Sequence, residues 1–266
     1  NSTGYGGGGM YNSSSDPILT NCKFSRNSAD DYGGGMDNRE NSSPTLTNCT
    51  FSGNYADIGG GMCNVQNSPS LTNCAFSENS ALYSGGMYNY ESSPTLTGCI
   101  FSSNSAKSGG GMSSVRSSYF SPPLFKRWNL ILTNCTFAQN SAQNGNALAC
   151  DSYEQNWLSN VEIINCIIWD GGDEIWNNDG STIMITYSNV QGGFPGEGNI
   201  DVDPLFAQPG YWADVNDPNI VIEPNDPNAV WIDGDYHLKS EAGRWDPNSE
   251  SWVVDDVTSP CIDAGD

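Results

Sequence analysis

The stretch GGGMCNVQNSPSLTNCAFSENSAL, residues 59–82, decides the fold because the chain repeats it. Its Gly-Met step recurs at five methionines, which are 26, 26, 25 and 25 residues apart: Met10, Met36, Met62, Met87 and Met112. A fixed period of this length is typical of stacked-repeat architectures, in which each repeat contacts only its neighbours. The sequence therefore predicts a solenoid.

Each repeat contains three short segments that can form strands. They are Gly-Met-x-Asn, Pro-Thr-Leu-Thr-Asn and Cys-x-Phe-Ser, and none is long enough or periodic enough for a helix. Gly, Asn, Ser and Pro lie between them as turn formers. Three strands per repeat predict an all-β fold, a right-handed parallel β-helix, whose rows stack at the ~4.8 Å spacing of neighbouring strands.

Side chains of one kind recur at the same place in each row and predict the columns of a narrow core. The cysteine column is Cys22, Cys49, Cys74, Cys99, Cys135 and Cys166. The phenylalanine column is Phe24, Phe51, Phe76, Phe101 and Phe137, ending in Ile168. The leucine column is Leu19, Leu46, Leu71, Leu96 and Leu132, ending in Ile164, and Leu148 continues the methionines. A polar column, whose amides can bond to one another up the stack, is Asn27, Asn54, Asn79, Asn104 and Asn140.

The nine cysteines show no metal-binding spacing, because no CxxC pair occurs. Stacked parallel side chains suit a column of unreactive thiols better than the dihedral angle of a disulfide. Cys63, Cys150 and Cys261 lie off the column, and a bridge between two of them stays open.

The repeats predict a β-helix domain over residues 1–193, interrupted by an insertion loop at about 116–130. This loop is basic and aromatic, which indicates either a contact surface or an apolar flap folded against the helix side. Its candidate contact residues are Arg116, Tyr119, Phe120, Phe125, Lys126, Arg127 and Trp128. Residues 194–266, rich in Asp, Pro and Trp, are predicted to cap the exposed strand edges, with a hairpin around Trp245 to Val254.

The charge of the chain excludes some classes of partner. Nine Lys and Arg stand against thirty-one Asp and Glu, which gives a net charge of −22. Such a surface repels nucleic acid and anionic membrane, and no run approaches the roughly 20 apolar residues that span a bilayer. We therefore expect neither nucleic-acid binding nor membrane insertion. Few lysines and acidic loops favour an extracellular or cell-surface protein.

No catalytic set stands out from the sequence. The positions after the methionines read Tyr11, Asp37, Cys63, Tyr88 and Ser113, which gives one acid where a polysaccharide-cleaving enzyme needs a pair. Asp30, Asp31 and Asp57 form a small acidic cluster near the next turn. The single histidine, His237, has no nucleophile motif beside it. We expect the chain not to be an enzyme.

Two kinds of ligand remain. Calcium takes six to eight oxygen ligands, and Asp201, Asp203, Asp214 and Asp217 supply oxygens in loops, although no EF-hand pattern occurs. No other cofactor is expected. Sugar rings stack on aromatic faces, which Tyr11, Tyr83, Tyr88 and Tyr90 can offer.

The pairing of Phe-x-x-Asn with Gly-Gly-Met resembles the repeat of the chlamydial polymorphic outer membrane proteins, over roughly residues 5–145, with Met where that family has Ala or Ile. TYSNVQGGFPGEGNIDVDPLF (186–206), DYHLKS (235–240) and SPCIDAGD (259–266) resemble secreted β-helix proteins of planctomycete-like bacteria. These resemblances imply a secreted or cell-surface β-helix, often adhesive.

Together these observations predict a non-enzymatic extracellular or cell-surface protein with a structural or adhesive role. Its partner would be a glycan, a cell-surface or matrix component, or a second copy stacked end to end in a fibre. The alternative is a polysaccharide-binding or polysaccharide-cleaving β-helix enzyme, a lyase or glycoside hydrolase acting on neutral glycan. Because one fold hosts many functions, the residues of a site have to decide between them.

Overall fold

The computed structural model describes residues 1–116, 129–152, 158–222 and 226–262. It divides into two compact units, residues 1–201 and 202–266. The first unit contains strands β1 (Ser2–Thr3), β2 (Met10–Ser13), β3 (Ile18–Thr20), β4 (Lys23–Ser25), β5 (Ser28–Ala29), β6 (Met36–Arg39), β7 (Thr45–Thr47), β8 (Thr50–Ser52), β9 (Tyr55–Ile58), β10 (Met62–Val65), β11 (Ser70–Thr72), β12 (Ala75–Ser77), β13 (Ser80–Tyr83), β14 (Met87–Tyr90), β15 (Thr95–Thr97), β16 (Ile100–Ser102), β17 (Met112–Arg116), β18 (Asn129–Thr133), β19 (Thr136–Ala138), β20 (Leu148–Ser152), β21 (Asn160–Ile164), β22 (Ile167–Trp169), β23 (Ile175–Asn177), β24 (Thr182–Thr186) and β25 (Asn189–Val190). The second contains β26 (Phe206–Gln208), β27 (Tyr211–Asp214), β28 (Asp217–Val221), β29 (Ala229–Ile232), β30 (Asp235–Leu238), β31 (Arg244–Asp246) and β32 (Ser251–Val253).

Three seven-stranded parallel sheets wrap the first unit and are named here after their core residues. The methionine sheet runs β2-β6-β10-β14-β17-β20-β23, the leucine sheet β3-β7-β11-β15-β18-β21-β24, and the phenylalanine sheet β4-β8-β12-β16-β19-β22-β25. Each strand pairs with its equivalent in the rows before and after it. The predicted parallel β-helix is therefore confirmed, with seven rows.

The core consists of the columns that the repeat brings into register. Met62 pairs with Met36 and Met87, and Phe76 pairs with Phe51 and Phe101. The rings of Phe76 stack on those of both neighbours with centroids 4.7 Å apart, which is the spacing of the rows. Burying a Leu, Met or Phe side chain contributes about 1.5–3 kcal/mol, so each added row stabilises the stack.

In the sixth row the leucine column contains a different isoleucine from the predicted Ile164. Ile163 pairs with Leu132 and is fully buried, whereas Ile164 pairs with Thr133 and lies half-buried. Side chains alternate between the two faces of a strand, so only one of two adjacent isoleucines can face the core. The column continues to Ile185.

The first rows contain a fourth short strand that the three-strand prediction did not include. β1, β5, β9 and β13 form a parallel sheet, named here the side sheet, directly after the asparagine column. In the later described rows it is reduced to single bridges, from Ser105 to Ser141 and from Ser108 to Asn144. The segments carry a repeated sequence signal directly after the column asparagine, Ser-Ala or Tyr-Ala: Ser28-Ala29, Tyr55-Ala56, Ser80-Ala81, Ser105-Ala106 and Ser141-Ala142.

A left-handed residue turns the chain just before each column cysteine. Asn21, Asn48, Asn73, Gly98, Asn134 and Asn165 occupy this position with φ between 52° and 63°. Asparagine and glycine are the residues that adopt this conformation most readily. The asparagine of Thr-Asn-Cys therefore adopts the left-handed conformation that turns the chain between two strands of a row.

The second unit is built from small antiparallel sheets. β26 pairs with β30, β27 lies between β28 and β29, and β31 pairs with β32, which confirms the predicted hairpin. Its buried side chains include Phe206, Ala213 and Trp231. The part of the chain that the structure describes contains no helix long and apolar enough to cross a membrane.

Residues 194–201, assigned from the sequence to the C-terminal region, belong to the first unit. Ile200 forms a parallel bridge with Asn189 of β25, and its carbonyl accepts a hydrogen bond from the amide of Val190 (3.0 Å). This segment therefore pairs with the last strand of the phenylalanine sheet, which extends the unit past residue 193.

Candidate functional site

The outer face of the methionine sheet differs from row to row. The residues that follow the core residue in each strand are paired in register: Tyr11, Asp37, Cys63, Tyr88, Ser113, Ala149 and Trp176. Cys63, Tyr88 and Val115 form an apolar cluster separate from the main core. The outer face of the methionine sheet, which we call the floor, therefore carries a different side chain in each row on a regularly spaced backbone.

A second column lies beside this floor and shields it. It consists of Tyr32, Ile58, Tyr83, Ser108 and Asn144, joined by parallel bridges from one row to the next. Tyr32 and Ile58 pack against the Cys63 cluster. As a result Cys63 is fully buried and Tyr88 is buried, although both lie outside the main core. We call the corner between the two columns the side groove.

The side groove opens into a pocket of about 180 Å³ at the fourth to sixth rows. Its lining is Ile58, Tyr83, Tyr88, Ser108, Ser113, Val115, Ala149, Asp151 and Ser152. Tyr83 is 47% exposed, so its ring faces solvent at the pocket. Tyrosine rings, hydroxyl groups and one carboxylate share the pocket, which is a lining suited to a polar ligand with apolar faces.

The earlier end of the groove holds a closed ion pair. Arg39 donates from Nε to Oδ1 of Asp37 at 2.9 Å, and its guanidinium lies 4.1 Å from the centre of the Tyr32 ring. Burial raises the pKa of Asp37, and the charge of Arg39 partly opposes this shift. Asp37, the one acid predicted in this column, is therefore paired with an arginine of its own row.

The two carboxylates of the described groove are far apart. Asp37 lies on β6 and Asp151 on β20, four strand spacings along the methionine sheet, which is roughly 19 Å at ~4.8 Å per strand. Paired carboxylates in glycoside hydrolases lie about 5–9.5 Å apart. Asp30, Asp31 and Asp57 lie along the side sheet, where the amide of Asp57 bonds to the carbonyl of Asp30.

The column cysteines form no disulfide, and neither do Cys63, Cys150 and Cys261 outside the column. Cys22 and Cys261 are half-buried, and the other seven cysteines are buried. Cys74 donates to the carbonyl of Thr72 in its own row (3.4 Å). A hydrogen bond with Cys135, together with burial, raises the pKa of Cys99 to about 12. Burial likewise raises the pKa values of Cys63 and Cys150. Neutral thiols of this kind are poor nucleophiles and metal ligands.

The predicted asparagine column is a continuous ladder of hydrogen bonds. Oδ1 of Asn79 accepts from both the amide and Nδ2 of Asn54, at 3.0 and 2.9 Å, and Nδ2 of Asn79 donates to Asn104 (2.9 Å). A second ladder runs along the methionine sheet through Asn12, Asn38, Asn64 and Asn89. The sequence signal for it was the repeated Asn of Gly-Met-x-Asn.

The first ladder ends on an acid instead of an amide. Oδ1 of Asp170 accepts from the amide and Nδ2 of Asn140, at 2.7 and 2.9 Å. Oδ2 of Asp170 and Oε2 of neighbouring Glu174 are buried without a hydrogen-bond partner among the described residues. Burial and the nearby Glu174 charge raise the pKa of Asp170.

Most of the predicted contact loop lies outside the described residues. This applies to Tyr119, Phe120, Phe125, Lys126, Arg127 and Trp128. Arg116 ends β17 and donates to the carbonyl of Leu158.

The aspartates predicted to bind calcium accept hydrogen bonds from backbone amides. Asp203, Asp214 and Asp217 each accept a backbone amide two residues ahead, and Asp201 accepts the amide of Gly192. Within the described ranges no three His, Cys, Asp or Glu side chains converge as a metal site. Calcium binding by these residues stays a prediction.

His237 contacts one charged neighbour in the second unit, Asp235. Its Nδ1 lies within hydrogen-bonding distance of Asp235, and Asp235 also accepts from Arg244 at 2.9 Å. The ring is about half exposed. Arg244 also binds Asp255, so the histidine borders a structural ion-pair network.

Comparison with known proteins supports the architecture. Residues 1–122 match a family model described as a right-handed β-helix region. The fold is a right-handed parallel β-helix. Residues 210–265 match a second family model, described as disaggregatase related. No curated protein and no solved structure matches the chain, so the resemblance to the chlamydial repeat proteins stays a prediction.

Proposed function

We propose that this protein is an extracellular or cell-surface adhesive β-helix that holds a neutral glycan in its side groove. The observation that carries the proposal is the shared pocket of Tyr83, Tyr88 and three serines on an otherwise repetitive scaffold. A sugar ring has apolar C–H faces, which stack on tyrosine rings. The hydroxyl groups at its edge form hydrogen bonds with serine and carboxylate groups.

The charge of the chain supports a neutral ligand. The net charge is −22, and Asp151 lies in the pocket lining. A polyanionic polysaccharide would meet repulsion from both, while an uncharged one would not.

Two features support binding over cleavage. Asp37 and Asp151 are too far apart to act as an acid–base pair, and Asp37 is engaged by Arg39. The pocket of about 180 Å³ is also smaller than the ~300–1,000 Å³ of enclosed ligand sites. A shallow subsite of this size suits one unit of a longer chain that runs along the groove.

The test is calorimetric titration of the full chain with neutral gluco-, xylo- and manno-oligosaccharides, with polygalacturonate as the acidic control. We expect a neutral series to bind and Tyr83→Ala to weaken it about tenfold. Tyr55→Ala is the matched control, because Tyr55 is as exposed as Tyr83 (47% each) but lies outside the pocket.

Three outcomes would overturn the proposal. Release of new reducing ends from a bound polysaccharide would make the protein an enzyme. Equal loss of affinity in the Tyr83 and Tyr55 variants would remove the groove as the site. Failure of every neutral glycan, with concentration-dependent growth in light scattering, would favour adhesion through self-association.

A further inference from the structure

The hairpin of the second unit places two tryptophans side by side in solvent. Trp245 on β31 pairs with Trp252 on β32, and they are 47% and 65% exposed. Residues directly opposite one another in an antiparallel pair lie on the same face. Two adjacent indoles in water form an aromatic patch that a folded chain would otherwise bury.

The opposite face of the hairpin is anchored to the rest of the unit. Arg244, next to Trp245, donates to Asp235 and to Asp255, both at 2.9 Å, and its side chain is 15% exposed. Because neighbouring side chains in a strand point to opposite faces, this anchoring directs the two indoles outward. The exposure of the pair is therefore a fixed property of the fold.

Gly243 sets the position of one of the rings. Its φ of +98° is a conformation that favours glycine, and a Cβ at this position would lie 2.0 Å from Nε1 of Trp252. The five-membered part of the indole consequently rests against the glycine backbone, while most of the ring stays in solvent. A ring held in this way loses little freedom when a ligand stacks on it.

The hairpin loop supplies polar groups beside the rings. Asp246 accepts the amide of Asn248 (2.9 Å) and the hydroxyl of Ser249 (2.6 Å), and Ser249 lies 2.8 Å from Ser251. Carboxylates on and next to the hairpin and a net charge of −22 disfavour a polyanion and a second, equally charged copy of the chain. An uncharged ligand with hydroxyl groups remains.

We propose that Trp245 and Trp252 form a second saccharide-binding platform, on which successive rings of a neutral glycan chain stack. This site is independent of the side groove, since it uses residues of the other unit. With both sites, one chain offers a neutral glycan two separate places to bind.

The experiment follows the indole fluorescence of the full chain during titration with neutral β-linked gluco-, xylo-, manno- and N-acetylglucosamine oligosaccharides. We expect one series to change the emission. Trp245→Ala and Trp252→Ala should each weaken binding about tenfold, and the double variant should abolish the emission change. Trp252→Phe keeps an aromatic ring and should retain most of the affinity.

Two controls separate this platform from the groove and from misfolding. Met184→Ala removes an exposed apolar side chain (56%) of the first unit and should change nothing. Tyr83→Ala should leave the emission change intact, even if the side groove binds no glycan. Circular dichroism and thermal melting must show that the tryptophan variants fold.

The proposal is overturned if no neutral oligosaccharide changes the emission of the wild-type chain. It is also overturned if the double variant keeps the emission change of the wild type at the same oligosaccharide concentrations. A concentration-dependent increase in mass that the double variant loses would identify a second copy as the occupant, which likewise contradicts it.

Discussion

The two sides of the methionine sheet obey different rules. On the inner side the rows repeat the same residues, methionine followed two positions later by asparagine, and these stack on their own kind. On the outer side neighbouring rows offer Asp37, Cys63, Tyr88 and Ser113 at one equivalent position. The inner side needs identity because like shapes fill a narrow core in register. The outer side does not have to fill a core, so its residues can differ between rows and can include polar and aromatic side chains that bind a ligand.

The largest effect should come from breaking the inner side in its middle. Phe76 is fully buried and stacks on Phe51 and Phe101 at 4.7 Å. Phe76→Ala removes both ring contacts and leaves a cavity, so we expect the free energy of unfolding to fall by about 3–5 kcal/mol. Urea unfolding measures this. Phe76→Leu should lose less, and a loss under about 1 kcal/mol in the alanine variant would contradict the role of the stack.

Substitutions in the asparagine ladders should have the second-largest effect on the free energy of unfolding, and the size of the effect should differ between the two ladders. Asn79 satisfies the backbone amide of Asn54 as well as its side chain. Asn79→Ala leaves that buried amide without a partner, and we expect a loss of about 2–3 kcal/mol. Asn64 exchanges hydrogen bonds only with Asn38 and Asn89. Asn64→Ala should therefore cost clearly less in the same unfolding experiment, and equal costs would show that the ladders are equivalent.

The acid at the end of the first ladder should respond to pH. Burial raises the pKa of Asp170, so the folded chain holds this proton more tightly than the unfolded chain. The free energy of unfolding therefore falls as the pH rises above 3.8, the ordinary pKa of this side chain.

Asp170→Asn removes this dependence and extends the ladder by one amide. We expect about 1 kcal/mol of stabilisation at neutral pH, which fades as the pH falls to the ordinary carboxyl range. Thermal melts of both proteins at several pH values check it. A stabilisation that is the same at every pH would attribute the gain to the amide bond alone.

The smallest effect on stability should come from the outer side. Tyr83 is 47% exposed at the pocket, so Tyr83→Ala should change the free energy of unfolding by less than about 0.5 kcal/mol. Glycan binding should nevertheless fall, as proposed above. A large loss of stability in urea unfolding would make the tyrosine part of the core, and the two sides of the sheet would no longer differ.

The repeat made the inner side predictable. The phenylalanines from Phe24 to Phe137 recur two residues after the column cysteines, and the asparagines from Asn27 to Asn140 recur five residues after them. Identity at a fixed offset is sufficient to place residues in a parallel stack. The error at Ile164 arose where two isoleucines adjoin and composition no longer indicates which one faces inward. Ile163 and Ile164 differ only in strand phase, which the ladder of hydrogen bonds decides.

The side groove could not be read in the same way. Its wall residues Tyr32, Ile58, Tyr83 and Ser108 each lie four positions before a core methionine, but they share no chemical character, so composition does not mark them as one column. Tyr83 and Tyr88 were recognised singly as surfaces for sugar rings. That they share a pocket with Ser108 and Asp151 depends on the corner between the side sheet and the methionine sheet. In each of these rows the wall residue lies five positions before the residue that follows the core methionine, as Tyr83 and Tyr88 do, but this spacing alone does not show that the two side chains line one pocket.

The registered columns have a consequence for the history of such a chain. The rows that begin at Met36, Met62 and Met87 present matching core columns to one another, so a row of this kind is a unit that can be copied or lost whole. Without residues 62–86 the flanking rows would still match, as Met36 would meet Met87, Leu46 would meet Leu96, Phe51 would meet Phe101 and Asn54 would meet Asn104. Duplication or deletion of about 25 residues changes the length of the groove by one step and leaves its construction intact. The reach of the protein along a polymer can therefore evolve in whole increments, separately from the chemistry of each row.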